Sequence, residues 1–330
     1  MRLSSAILIF LGSTSLGCLN QAVAQPAGVQ IPGLGFAWDG RSSQIRPIHG
    51  IPGAAILGES TGKTGYASAA ISPRHDLALA ISADTGKIQL IRLSSGEVQD
   101  IPGIAAAPLR LIFSPSGTAA LAMGSKLQLL TGLPDSLNVQ DLALPPDTGE
   151  PTAIALSDDA QFVLFAAHSG DTASTWLLAP GMSPLPVAVP GPIAVASFQP
   201  GGRDAVALDP EGAMYRILNS SIPGEVRLLR PGSPQTVGPV AVRMSADGKR
   251  IYTASRLGTV ALIDMDAASV VTVDCGCTPT GIEPLTSSNL FRITEISDRP
   301  VMLFDVSIPT PRVWFVPSDS PSADSQRSGQ

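Results

Sequence analysis

The sequence predicts an all-β fold, a β-propeller of seven blades with mostly four antiparallel strands each; six or eight blades are the alternatives. Three observations predict it. A turn phrase recurs, starting at Ile71, Phe113, Leu156, Phe198, Met244 and Leu285, with spacings of 42, 43, 42, 46 and 41 residues. Between the phrases lie short runs of alternating or wholly apolar residues, the pattern of strands covered on one or both faces. Gly and Pro, 32 and 30 of 330 residues, punctuate those runs, and after the first residues no segment carries the period of an amphipathic helix. A repeat of this length with four strand signals reads as a blade, a small sheet that can cover its apolar faces only against its neighbours in a ring.

From the N-terminus, the chain opens on MRLSSAILIFLGSTSLGCLNQAVAQ: one Arg, an apolar run, then small residues ending in Ala22-Val23-Ala24. Residues 1–24 read as a signal peptide cleaved after Ala24; lipid anchoring at Cys18 is the alternative. The mature chain is therefore expected to be exported, periplasmic or extracellular, and no later apolar run reaches the ~20 residues of a transmembrane helix. Residues 29–317 form the propeller. Its first blade shows three strand signals, in GFAW, QIRPIHG and AAILG, and no clear inner strand. Each later unit runs through an apolar residue, a Ser/Pro/Asp/Gly turn and further strand runs; around Met244 these are VAVRM, RIYTAS, TVALIDM and SVVTVD. Residues 318–330 are Ser-rich with no apolar side chain larger than Ala, so a disordered tail is expected.

The stretch MSADGKRIYTASRLGTVALIDMDAASVVTVDCG, residues 244–276, resembles the YVTN-type, WD40-like repeat of secreted bacterial β-propellers: an Asp-Gly turn, a Tyr-centred strand, then an apolar strand ending in Asp. The other units keep the turn phrase and the spacing but not the Tyr. The Gly-His and Trp-Asp signatures of WD40 repeats proper are absent. The resemblance implies architecture and an exported location; it does not imply a particular function.

Charge and motifs exclude several classes. Without residues 1–24 the chain keeps 20 basic against 27 acidic side chains, and an acidic chain with no basic cluster repels phosphate backbones, so nucleic acid is not an expected partner. GESTGKTG, residues 58–65, imitates a phosphate loop. It leaves three residues between its glycines where the Walker motif needs four, and a strand rather than a helix follows. The Asp-Thr-Gly triplets at Asp84 and Asp147 fall in a turn and a connection of different blades, where that triplet is ordinary turn chemistry. His49, His75 and His168 are read as surface or edge residues on separate parts of the ring, so no metal site is expected, and no cofactor is expected either. Cys275 and Cys277 flank Gly276 at the end of a fourth strand. In an exported chain a disulfide between them is expected, with free thiols or a two-thiol metal ligand as the alternatives.

If the strands of a blade are lettered a to d from the axis outward, the b–c turns and d–a connections share one face of the disc. That face carries the candidate binding residues Lys63, Asp84, Lys87, His168, Asp171, Arg256, Asp298 and Arg299. No nucleophile elbow or converging acid–base pair is visible. The expected function is therefore a non-catalytic, monomeric scaffold that binds a protein or a cell-envelope polymer through this loop face, with no catalytic residues assigned. The alternative is a small-molecule hydrolase or lactonase-like propeller enzyme, which needs polar groups converging at the mouth of the axis.

Overall fold

The computed structural model of the chain describes residues 32–60, 65–105, 110–146, 148–219 and 223–318. The signal-peptide segment, residues 319–330, Lys63 and Asp147 lie outside the described residues. The described residues form seven antiparallel sheets and no helix. Blade 1 holds β1 (Gly33–Asp39), β2 (Gln44–His49) and β3 (Ile56–Leu57), and blade 2 holds β4 (Tyr66–Ile71), β5 (Leu77–Ser82), β6 (Ile88–Arg92) and β7 (Val98–Asp100). Blade 3 holds β8 (Arg110–Phe113), β9 (Ala120–Met123), β10 (Leu127–Thr131) and β11 (Asn138–Leu142), and blade 4 holds β12 (Glu150–Leu156), β13 (Val163–Ser169), β14 (Thr172–Leu178) and β15 (Leu185–Pro186). Blade 5 holds β16 (Val195–Phe198), β17 (Ala205–Leu208), β18 (Met214–Leu218) and β19 (Glu225–Arg230), and blade 6 holds β20 (Pro239–Met244), β21 (Arg250–Ser255), β22 (Thr259–Asp264) and β23 (Ser269–Asp274). Blade 7 holds β24 (Glu283–Pro284), β25 (Leu290–Arg292), β26 (Val301–Asp305) and β27 (Arg312–Val316). The first strands of blades 1 to 6 touch in succession, which puts them around the axis.

The recurrent phrase is the turn from strand a to strand b. In blades 2, 3, 4 and 6 it opens on Ser72, Ser114, Ser157 and Ser245, each donating its N–H to the carbonyl five residues on. The fourth turn residue, His75, Gly117, Ala160 or Gly248, has φ between 57° and 72°. At Gly117 the requirement is double, because a Cβ there would also sit 2.4 Å from Ser72 Oγ of the preceding blade. The Ser hydroxyls of blades 3, 4 and 6 accept the N–H that enters strand b, from Ala119, Phe162 and Arg250. A short polar turn thus satisfies its own backbone, which is why the phrase survives in units whose strands have diverged.

These turns also join the blades. Asp158 of blade 4 accepts from Ser116 N–H of blade 3 at 2.8 Å and from Gly201 N–H of blade 5 at 2.6 Å. Gln199 of blade 5 donates to the carbonyl of Ala246 in blade 6. Between the blades the apolar side chains form seven clusters, one per interface. The cluster of Leu34, Ala37 and Ile48 with Leu285, Leu303 and Val316 joins blade 1 to blade 7, so the ring is closed by packing. Each fully buried Leu or Phe in such a cluster contributes about 1.5–3 kcal/mol.

Candidate functional site

Three charged side chains on first strands, and one at the end of a second strand, line cavities at the axis, where a side chain can stay hydrated without leaving the ring. Arg110 begins β8, Arg243 precedes the last residue of β20, Glu283 begins β24 and Arg292 ends β25. Arg243 Nε donates to the Ile282 carbonyl at 3.0 Å, and its Nη2 lies 3.1 Å from Glu283 Oε2. Arg292 Nη1 donates to the Thr294 carbonyl at 2.7 Å. Burial holds the Arg292 guanidinium below its ordinary range, a tendency that Glu283 and Glu295 oppose. Two adjoining cavities of about 290 Å³ each open on this cluster, and Arg110, Arg243 and Glu283 line both. Three guanidinium groups face one carboxylate here, in a chain whose net charge is −6. Among the described residues, neither Arg110 nor Arg292 has a carboxylate within ion-pair distance, so the channel is a cationic spot in an acidic protein.

The second cavity lies beside blade 1, which has three strands among the described residues. In blade 1 the sheet order is β1–β2–β3, so β1 is an edge that faces the axis. His75, from the a–b turn of blade 2, reaches into this place. Its Nδ1 accepts the Phe36 N–H of β1 at 2.9 Å, and its Nε2 lies 2.8 Å from the Pro284 carbonyl of blade 7. An Nδ1 that accepts requires the proton on Nε2, so the ring is neutral and bonded at both nitrogens. Burial is the largest effect holding its pKa below the ordinary value, and Arg292 acts in the same direction. Thr286 N–H donates to the Leu34 carbonyl, a second link from blade 7 to the same edge. Gly35 is required beside the imidazole, because a Cβ there would lie 2.7 Å from His75 Cε1. His75 was expected at a surface or edge; it is 9% exposed and has no free ring nitrogen, so it positions the channel wall and is not available as a base.

The rim residues do not come together. Asp84, Lys87, His168, Asp171, Arg256, Asp298 and Arg299 are all exposed, on blades 2, 4, 6 and 7. Lys87 lies 3.9 Å from Asp100 of its own blade, and Asp298 pairs at 2.7 Å with Arg41 across the junction of blades 7 and 1. No two members of this set are paired with each other among the described residues. Cys275 and Cys277 are bonded to each other, with Cα atoms 5.1 Å apart at the end of β23. Among the described residues no group of three or more His, Cys, Asp or Glu side chains could hold a metal ion, and no helix is long and apolar enough to cross a membrane.

No protein-family model and no curated protein matches the chain by sequence. Solved structures match by fold. The "putative 6-phosphogluconolactonase" of Bacteroides uniformis is 14% identical, with a TM-score of 0.58 over 87% of this chain and 96% of that one. Its namesake from Bacteroides fragilis is 13% identical, with a TM-score of 0.56 over 86% and 92%. Hsv2 of Kluyveromyces lactis is 11% identical, with a TM-score of 0.56 over 87% and 98%. At these identities the likeness shows the fold alone.

The expectation of a non-catalytic scaffold that binds a protein or envelope polymer through the loop face is overturned. Its described residues are dispersed over blades 2, 4, 6 and 7, as turn residues are wherever they are wet. The charged groups that do converge lie in a channel of small-molecule dimensions, and the structures of like fold include two that carry the lactonase name. Arg110, Arg243, Glu283 and Arg292 were missed because single charges in strands carry no motif. A signal was nevertheless present. The first three of them stand one to three residues before a recurrent anchor, in runs that are otherwise apolar or small.

Proposed function

We propose that the protein is a small-molecule hydrolase of the lactonase kind, exported as a YVTN-type propeller, that acts in the axial channel on an anionic ester or lactone. The observation that carries this reading is Glu283, a half-exposed carboxylate held by Arg243 at 3.1 Å and flanked by Arg110 and Arg292 in the same cavity. Arg243 orients the carboxylate, and Glu283 takes a proton from a water molecule as its oxygen bonds to the substrate carbonyl carbon. Negative charge then builds on the carbonyl oxygen, and fixed guanidinium groups at the cavity wall stabilise it. As the ring C–O bond breaks, the proton passes to the departing alkoxide, leaving a hydroxy acid. Arg110 and Arg292 supply the attraction for an anionic group and favour its entry into a chain that otherwise repels anions.

The test is hydrolysis of a panel of aldonolactones and aryl esters, with and without a carboxylate or phosphate, by pH-stat titration. Turnover that prefers the charged members, and that falls about 10²- to 10⁴-fold in Glu283→Gln while the melting temperature holds, supports the reading. The absence of turnover across the panel, or turnover indifferent to Glu283→Gln, refutes it.

A further inference from the structure

The disulfide of Cys275 and Cys277 joins no two blades and closes only three residues, so it restricts the unfolded chain less than a long-range bridge does. The bend that it spans is held without it. Cys275 N–H donates to the Gly258 carbonyl at 2.9 Å, and Gly276 N–H donates to Asp274 Oδ1 at 2.9 Å. At the apex Gly276 has φ 58°, and a Cβ there would meet no atom within 4 Å, so the apex faces open space. The two cysteines differ in access. Cys275 is 5% exposed and belongs to the apolar cluster with Tyr252, Val260, Ile282 and Phe291, whereas Cys277 packs against that cluster and is only partly buried. The turn between β21 and β22 abuts Cys277: a Cβ at Gly258 would lie 2.9 Å from the Cys277 carbonyl oxygen. Leu257, beside it in that turn, is 66% exposed.

We infer that Cys275 and Cys277 form a thiol–disulfide exchange site whose substrate is a dithiol and whose entry point is the Cys277 sulfur. A bridge that holds little together, with one sulfur reachable and the other covered, has the asymmetry that exchange through a mixed disulfide requires. A substrate thiolate attacks Cys277 Sγ; the new S–S bond forms as the bond to Cys275 breaks, and Cys275 leaves as a thiolate. Its apolar surroundings disfavour that charge, so Cys275 takes up a proton and stays as a neutral thiol. The second substrate thiolate then attacks its own partner sulfur in the mixed disulfide. Cys277 departs and takes up the second proton, and the substrate leaves as a disulfide. Two electrons and two protons have passed from the dithiol to the cysteine pair. A small disulfide such as oxidised glutathione restores the pair: the Cys277 thiolate attacks it and releases one glutathione thiolate, and Cys275, deprotonated, attacks Cys277 Sγ and releases the second. The exposed Leu257 gives a peptide dithiol an apolar contact that a small dithiol lacks. The inference does not depend on the channel reading above.

The test is oxidation of a dithiol by oxidised glutathione with catalytic amounts of the full chain, under anaerobic conditions, read by acid quench and mass spectrometry. One arm uses a peptide bearing two reduced cysteines and the other dihydrolipoate. The protein should accelerate at least one arm by about tenfold or more, and Cys277→Ser should abolish the gain. The faster arm identifies the source of the dithiol. No acceleration in either arm overturns the inference, and so does acceleration that survives in Cys277→Ser. Wild-type protein treated with reduced glutathione gives a second measurement that needs no variant. The adduct should fall on Cys277 about tenfold more often than on Cys275, at a rate independent of urea below the unfolding transition. Equal labelling of the two positions, or an adduct that forms only as the protein unfolds, would show a bridge that is merely structural and would overturn the inference.

Discussion

Replacing His75 by Ala removes one of the links that tie blade 1 to blade 7. The side chain makes two hydrogen bonds, at 2.9 Å to Phe36 N–H and 2.8 Å to the Pro284 carbonyl. Two such bonds are worth about 1 kcal/mol each. The Phe36 N–H then faces a cavity that water can enter, so only part of the 1–3 kcal/mol for an unsatisfied buried donor applies. Loss of a buried imidazole beside Phe36, ring centroids 6.3 Å apart, adds to this. The expected total is about 2–4 kcal/mol, which at a urea slope of about 3 kcal/mol/M lowers the midpoint by about 1 M. The same side chain gives the wild type a pH dependence. A neutral ring whose folded pKa is depressed contributes stability that is fully present above the unfolded value of about 6.5 and is lost as pH falls through that value toward the folded pKa. Urea melts between pH 8 and 5 should therefore show stability falling below about pH 6.5, with a smaller fall in His75→Ala. A variant midpoint within about 0.2 M of wild type, or equal pH profiles for the two proteins, would refute the reasoning.

Asp158 clasps blades 3, 4 and 5 by accepting from Ser116 and Gly201 N–H groups, so Asp158→Ala should cost about 2 kcal/mol, the lower end for two charged acceptor bonds at a partly exposed site. Equal urea midpoints would count against the clasp. Cys275 and Cys277 close a loop of three residues, and so short a loop gives about 1–2 kcal/mol of unfolded-state restriction. Mass spectrometry should find no alkylated thiol at either position in the native protein, and Cys275→Ser should melt only slightly early. Alkylation of both thiols would show that the pair is reduced.

The fold was legible because its information is local and repeated. The turn that Ser114, Ser157 and Ser245 open needs one short side chain and one residue at positive φ, and that grammar persists while the strands vary. The three strand signals before Tyr66 correspond to β1, β2 and β3, so even the incomplete blade could be read. The site was not legible, because its members come from blades 2, 3, 6 and 7 and meet only when the ring closes. Arg110 and Glu283 are 173 positions apart, and neither has a neighbour in sequence that marks it. His75 was misread for a related reason. A histidine in a polar turn is ordinarily wet, and only the gap in the adjacent blade gives it a buried edge to fill.

That gap connects stability to chemistry. A complete inner strand in blade 1 would satisfy the inward groups of β1 along their length and would leave no cavity there. Among the described residues, the Leu34 carbonyl and the Phe36 N–H are satisfied from neighbouring blades by Thr286 and His75. The two links lie toward the N-terminal end of β1, and His75 lines the same cavity as Arg110 and Arg292. Strengthening the closure with a full strand would narrow the cavity that Arg110, Arg243 and Arg292 line. A ring held by side-chain links is less stable than one closed by a strand, and here the stability forgone is what keeps a polar, cationic pocket open inside an otherwise packed sheet ring.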